Sequence, residues 1–227
     1  MLVLAADTSE KSAGAALVDG CKVLAEVNAE AKPHSETLMP IIDKLFALTG
    51  KKLCDVDLFA ATSGPGSFTG LRIGAATVMG LADGTDKPLA GVPTLLAMAH
   101  SAGAAPDGVF IVPMMDAKRS EVYAAVYKTE NGFPVLQSGM AACPVTELLH
   151  LAAGFDASRV LFTGEGADIY REEILKIFPF AEFAAPPHNR IRAASVALCA
   201  LREKPDGISL TYLRKPQAER ERDNVKK

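Results

Sequence analysis

Apolar positions along the chain follow two periods. Residues 2–6 form a continuous apolar run that ends at Asp7-Thr8-Ser9, residues 13–18 form a second, and after a turn at Asp19-Gly20 residues 23–27 form a third. Short apolar runs joined by tight turns predict an antiparallel meander. From His34 the spacing lengthens to three and four, through Leu38, Ile41, Ile42, Leu45 and Leu48, which predicts a helix stopped at Gly50. Residues 58–61 predict a buried strand that feeds the turn-rich Thr62-Ser63-Gly64-Pro65-Gly66-Ser67 and a second helix over 68–82. A strand at 89–92 and a helix at 94–100 complete this half.

The small, breaker-rich segment 101–108 marks a boundary between a first lobe of residues 1–104 and a second of 105–227. The second half then opens as the first did. A strand over 109–115 ends at Asp116, and residues 121–128 and 135–136 suggest another meander about Asn131-Gly132. A helix at 145–152, a strand at 160–162 and helices at 169–177 and 191–202 follow, the last placed to pack back on the first lobe. The order predicts an α/β protein of two similarly built lobes, each a mixed sheet with an antiparallel meander flanked by helices. Residues 214–227 alternate in charge and have almost nothing to bury, so they read as a flexible tail.

Composition narrows the function classes. With 227 residues, 49% of them hydrophobic, the chain can bury one large core or two small ones. Lys and Arg total 24 against 27 Asp and Glu, for a net charge of −3, so no overall basic field exists to hold a polyanion. The first residues lack a basic leader, and the apolar stretch 88–105 is interrupted by Pro93 and His100, which predicts a cytoplasmic protein away from membranes. Cys21, Cys54, Cys143 and Cys199 stand far apart, which suits neither a zinc cluster nor a disulfide framework and predicts four buried thiols.

Candidate chemistry falls on the turns. Asp7-Thr8-Ser9 places a carboxylate and two hydroxyls where a hairpin could hold a phosphate and its magnesium, and the same residues suit a plain Asx turn. The loop from Ser63 to Arg72 puts glycines before a helix N-terminus, but Gly70 is followed by Leu71-Arg72 and not by the Lys-Ser/Thr of a P-loop. Gly66, Gly70 and Gly74 recur every four residues, a small stripe that serves internal packing or a partner surface equally well. Leu38, Met39, Ile42, Leu45 and Phe46 cover more than one narrow face of the first helix, so part of that face suits a second molecule. His34, His100, His150 and His188 are isolated, without metal-ligand spacing, and no serine or cysteine sits in a nucleophile elbow. In the second lobe Asp116-Ala117-Lys118-Arg119 fills the turn where a phosphotransferase needs glycines, and its cations suit an anion or a solvated hairpin. Thr163-Gly164-Glu165-Gly166 suits a nucleoside or a simple turn.

Taken in order, several segments resemble the bacterial TsaB (YeaZ) family. They are Leu4-Ala5-Ala6-Asp7-Thr8-Ser9, the helix start His34-Ser35-Glu36-Thr37-Leu38-Met39-Pro40, Gly64-Pro65-Gly66-Ser67-Phe68-Thr69-Gly70-Leu71-Arg72-Ile73-Gly74, Gly91-Val92-Pro93-Thr94-Leu95, Asp116-Ala117-Lys118-Arg119-Ser120-Glu121-Val122-Tyr123 and Tyr212-Leu213-Arg214. The resemblance implies the two ribonuclease H-like lobes of the actin-like ATPase and sugar-kinase superfamily. It also implies a role in making threonylcarbamoyladenosine beside the tRNA anticodon, as a non-catalytic subunit that binds and activates a TsaD-like catalytic subunit together with a TsaE-like ATPase. On this resemblance tRNA is reached through the complex, and no metal or cofactor belongs to this chain. Where TsaD-like proteins carry a His-x-x-x-His metal pair, Thr94 and Met98 stand here. Asp7, Thr8, Ser9, Gly164 and Gly166 then form a vestigial nucleotide site, and Leu38, Met39, Ile42, Leu45, Phe46, Gly70, Gly74 and Thr77 form the partner surface, which without its partner allows a homodimer. Lys118 replaces the family's usual arginine. The rival expectation is an independent ATP-dependent phosphotransferase that uses Asp7 with magnesium, for which the sequence offers no second phosphate clamp.

Overall fold

The computed structural model describes residues 1–30, 33–155 and 157–214. The first apolar run becomes β1 (Leu2–Asp7), paired antiparallel with β2 (Ala13–Asp19) and parallel with β4 (Leu58–Gly64). With β3 (Lys22–Ala29) outside β2 and β5 (Leu89–Pro93) outside β4, the sheet order is β3-β2-β1-β4-β5. A central strand covered on both faces reads as an unbroken apolar run, and its side chains alternate into two different cores. Leu2, Leu4 and Ala6 enter one core with α1 (His34–Thr49) and α2 (Phe68–Asp83). Val3 and Ala5 enter another with α3 (Thr94–Ser101) and α7 (Ala193–Ala200).

The second sheet repeats the order. β6 (Phe110–Lys118) is central, between β7 (Glu121–Ala124) and the parallel β11 (Val160–Thr163), with β10 (Ala141–Pro144) and β12 (Glu182–Phe183) outside them. A hairpin of β8 (Tyr127–Glu130) and β9 (Phe133–Leu136) is attached at Phe110 and Ile111 of β6. Phe110, Val112 and Met114 face a core shared with α4 (Val145–Ala153), α5 (Glu165–Ile169) and α6 (Arg171–Ile177), whereas Ile111 and Met115 face α3 and α7. The predicted α/β architecture of two repeated lobes is the one observed.

Two expected elements are divided. Residues 121–128 form two strands, because the Val126 N–H turns away to Ser138 Oγ (3.0 Å) and its carbonyl accepts from the Gln137 N–H (2.8 Å). The helix expected at 169–177 breaks at Tyr170, whose φ of −103° and ψ of 23° leave the helical region. Cys143 and Cys199 are buried as expected, but Cys21 and Cys54 are exposed, one in the β2–β3 turn and the other in a 3-10 turn ahead of β4. Arg214, at the start of the expected tail, donates to the Ala117 carbonyl (2.9 Å) and pairs with Glu121. The rest of that segment, 215–227, lies outside the described residues.

The two sheets are joined by α3 and α7. Both helices are apolar around most of their circumference, as a helix buried on all sides must be. Each contacts the opposite half: α7 packs on β1 and β2, and α3 packs on β6 as well as on β4 and β5 of its own half. Glu26 of β3 fixes the start of α7 by accepting from Arg192 Nε (3.0 Å) and Nη2 (2.5 Å) with one oxygen and from the Ala194 N–H (3.0 Å) with the other. This carboxylate does the work of an N-cap from a different strand. Replacing Glu26 with Ala strands a guanidinium and a helix N–H, and is expected to lower the unfolding free energy by about 2 kcal/mol, measured by urea denaturation.

Candidate functional site in the cleft between the sheets

The turn after β1 sits under the loop that enters α2. Asp7, Thr8 and Ser9 are 2%, 0% and 1% exposed. Asp7 Oδ1 accepts from Thr62 Oγ1 (2.7 Å) and from the Ser9 N–H (3.1 Å), the Asx geometry that the sequence allowed. Burial pushes the Asp7 carboxyl above the usual range, against the hydrogen bonds from Ser9 and Thr62. Thr8 Oγ1 donates to the Gly70 carbonyl (2.7 Å), and the Ser67 N–H donates to the Ser9 carbonyl (2.8 Å). As folded, Asp7 Oδ1 and the Thr8 hydroxyl are engaged by their own chain, and the Ser9 hydroxyl is buried without a hydrogen-bond partner among the described residues.

The glycine stripe is what permits this closure. A Cβ on Gly70 would overlap the Thr8 carbonyl, one on Gly74 would overlap the Thr8 hydroxyl, and one on Gly66 would come within 2.7 Å of the Ser9 carbonyl. Of the two uses open to the stripe, internal packing is the one observed, and Gly70 and Gly74 are buried inside the first lobe. Leu38, Ile42 and Leu45 are likewise core residues at 1%, 1% and 0% exposure. The expected partner surface therefore shrinks to the outward positions of the two helices. Met39 is exposed and Phe46 and Thr77 are half-buried, and they are joined by exposed Leu48 and Met79, which the expected surface did not include.

Across the cleft, Gly164 has a φ of +97°, and a Cβ there would overlap the Met114 carbonyl and crowd Met98 Sδ at 2.6 Å. Gly166 packs on Met114 in the same way. Asn189 fills the space in front of them: its Oδ1 accepts from the Gly164 N–H (2.6 Å) and from Thr163 Oγ1 (3.3 Å), and its Nδ2 donates to Asp168 (2.6 Å). Thr94 is fully buried and its hydroxyl accepts from the Gly64 N–H (3.1 Å), while Met98 is buried against Gly164. The structure thus keeps Asp7, Thr8 and Ser9 on one side and Gly164 and Gly166 on the other, each group closed by its own neighbours.

Between them lies Lys11, which no motif of the sequence marks out. Lys11 and Glu165 form an ion pair across the cleft (2.5 Å) and separate a cavity of about 700 Å³ from one of about 330 Å³. The larger is bounded by the starts of α1 and α2 and by the β6–β7 turn. In that turn Lys118, Arg119 and Ser120 all have φ near +60°, a conformation side-chain-bearing residues adopt only at a cost. Asp116 supports it, with Oδ1 accepting from the Lys118 N–H (2.9 Å) and Oδ2 from Lys118 Nζ (2.5 Å). Burial pushes the Asp116 carboxyl up, but the hydrogen bonds from Lys118 outweigh it and hold the group below the usual range.

Glu10, next to Lys11, is a second carboxyl of the cleft raised by its surroundings. Burial, reinforced by the nearby Asp7 charge, pushes its carboxyl from 4.5 to about 7. A carboxyl whose folded value is raised binds more protons folded than unfolded, so its contribution to stability is lost as pH climbs from 4.5 toward 7. Glu10→Gln is expected to remove that slope and to raise the unfolding free energy above neutral pH by about 1–3 kcal/mol. Urea denaturation of both proteins across this range measures it.

The comparisons with known proteins agree with this geometry. A family model described as "TsaD: tRNA N6-adenosine threonylcarbamoyltransferase" matches residues 23–200. The "tRNA threonylcarbamoyladenosine biosynthesis protein TsaB" of Bacillus subtilis is 30% identical over 96% of this chain and 96% of its own length. The protein of the same description from Escherichia coli is 35% identical over 58% of this chain, and the match spans 58% of that relative's length. Among solved structures, "YeaZ from Pseudomonas aeruginosa" superposes with a TM-score of 0.75 at 27% identity over 92% of this chain and 95% of that one. A ROK hexokinase from Thermus thermophilus, 14% identical with a TM-score of 0.52 over 91% of this chain and 100% of that one, shares the fold alone. A match to the TsaD-type model over most of the chain, and a TsaB relative aligned along nearly all of it, establish that the chain belongs to the TsaB (YeaZ) family.

Proposed function

We propose that this chain is a non-catalytic subunit in the biosynthesis of threonylcarbamoyladenosine on tRNA, working in the cytoplasm by docking and activating a TsaD-type transferase alongside a TsaE-type ATPase. The names carried by its relatives support the process. The observation that supports the division of labour is the cleft. Asp7 and Thr8, on which a phosphate and its magnesium would rest, are buried and hydrogen-bonded to Thr62 and the α2 loop, Asn189 occupies the glycines opposite, and buried Thr94 and Met98 stand where the resemblance places a metal pair. An independent phosphotransferase would need these closures undone.

The outward face of α1 and α2 supports the docking surface. The helices lie side by side and present Met39, Leu48 and Met79 at 39%, 61% and 40% exposure, with half-buried Phe46 and Thr77. Methionine's flexible, polarizable side chain fits itself to an opposing surface, and apolar side chains that share an exposed face favour association with a partner or, in its absence, with a second copy. The test is reconstitution of the modification on unmodified tRNA with the other proteins of the pathway, with and without this chain. Product is expected only with it. The double variant Met39→Glu, Met79→Glu is expected to bind the transferase at least about tenfold more weakly with an unchanged unfolding midpoint. Product formed without the chain would overturn the reading.

A further inference from the structure

The larger cavity of the cleft holds an acceptor that the fold leaves unused. His34 is 8% exposed and lines the cavity. Its Nε2 lies 3.1 Å from the Glu10 carbonyl, and since a carbonyl only accepts, Nε2 carries the proton. In the neutral ring Nδ1 is then a bare lone pair, and among the described residues it has no hydrogen-bond partner. A buried acceptor without a donor is costly, so the site is completed by a donor from outside the described chain.

Charge points to the same class of group. Glu10, Asp116 and Glu165 line the cavity with Lys11 and Lys118, and both lysines are already on carboxylates, Lys11 on Glu165 and Lys118 on Asp116. Glu10 accepts a hydrogen bond from the Ile191 backbone ahead of α7. The charges that reach Glu10 are Asp7 at the end of β1, Glu165 ahead of α5 and Arg190, and Arg190 is paired with Glu30 (3.3 Å). Negative charge is therefore in excess: both lysines of the lining are committed to carboxylates, and the buried side-chain donor left without a partner among its described residues, the Ser9 hydroxyl, carries no charge to hold an anion.

We propose that this cavity binds a guanidinium or ammonium group, which donates an N–H to His34 Nδ1 and sets its charge against the Glu10 carboxylate. The inference does not depend on the docking role, because it concerns the isolated chain. The group is either a free amine or a Lys or Arg side chain of a protein partner. A cation beside Glu10 favours its ionised form, so binding tightens as pH rises through 7.

Agmatine and inorganic phosphate are the probes, titrated separately into the full chain by calorimetry, with the His34 ring nitrogens followed by NMR. Agmatine is expected to bind and to move the Nδ1 resonance, and phosphate to do neither. Glu10→Gln, which removes a carboxylate that burial already disfavours and so keeps the fold, is expected to weaken agmatine binding about tenfold or more, and His34→Phe likewise. No binding at millimolar agmatine, binding of phosphate in its place, or wild-type affinity in Glu10→Gln would overturn the proposal. Once agmatine binds, competition with the transferase identifies a partner side chain as the natural occupant, and its absence identifies a free amine. Both outcomes uphold the cation.

Discussion

The distance between the two sheets is set by the thinness of the layer that separates them. α3 and α7 fill that layer with Ala97, Ala99, Ala193, Ala194, Ala197 and Ala200, together with Val196, Leu95 and Met98. Helices faced with methyl groups approach their neighbours closely, and here α3 touches strands from both repeats while α7, from the second half of the chain, rests on the first sheet. The position of the cleft follows from that spacing. With the sheets this close, the end of β1 and the end of β6 border one cavity, and the side chain of Lys11 is long enough to reach Glu165. A core of larger residues would part the sheets and take the two turns out of each other's range.

The cleft lies beyond the carboxyl ends of parallel strands, the place where α/β sheets gather ligand-binding loops. Here those loops bind one another. On the first side, glycine at positions 66, 70 and 74 lets α2 and its entry loop rest on the backbone of Thr8 and Ser9. On the second, a side-chain amide reproduces with its oxygen and nitrogen the contacts that a small ligand could have made to Gly164 and Asp168. Each closure replaces a ligand by a protein atom, and together they leave the unmet hydrogen-bonding capacity of the cleft to His34 and the Ser9 hydroxyl, beside the Glu10 carboxyl.

Much of the fold is legible in the sequence because its central strands are buried on both faces. An uninterrupted apolar run such as residues 2–6 has little choice of structure once its flanking turns are recognised. Spacing gave the faces of α1 and α2 but not their surroundings. It grouped Leu38 with Met39, of which one is core and the other surface, and it placed Leu48 on the apolar face although that residue is 61% exposed. The two-residue edge strand β12 carries no apolar run, and the small Ala141-Ala142-Cys143 of β10 offers no β-branched or aromatic residue to mark a strand. The same holds for the cleft. His34 lacks a second histidine at ligand spacing, so a search for pairs passes it by, and its partner Glu10 is joined to it only by the folded chain. The charged pair Glu10-Lys11 directly after Asp7-Thr8-Ser9 was the available signal, since two charges in the turn after a buried strand point toward the same opening.

The four cysteines divide into two kinds that chemistry can tell apart. Burial pushes the Cys199 thiol up to about 12, and that of Cys143 above its usual range, so neither supplies much thiolate at neutral pH. Cys21 and Cys54 stand in solvent, in the turns beside the amino ends of β1 and β4. Those turns are at the opposite end of the first sheet from Asp7 and the cleft. A maleimide dye will therefore settle on that far end first, giving the protein two attachment points from which events in the cleft can be watched without being blocked.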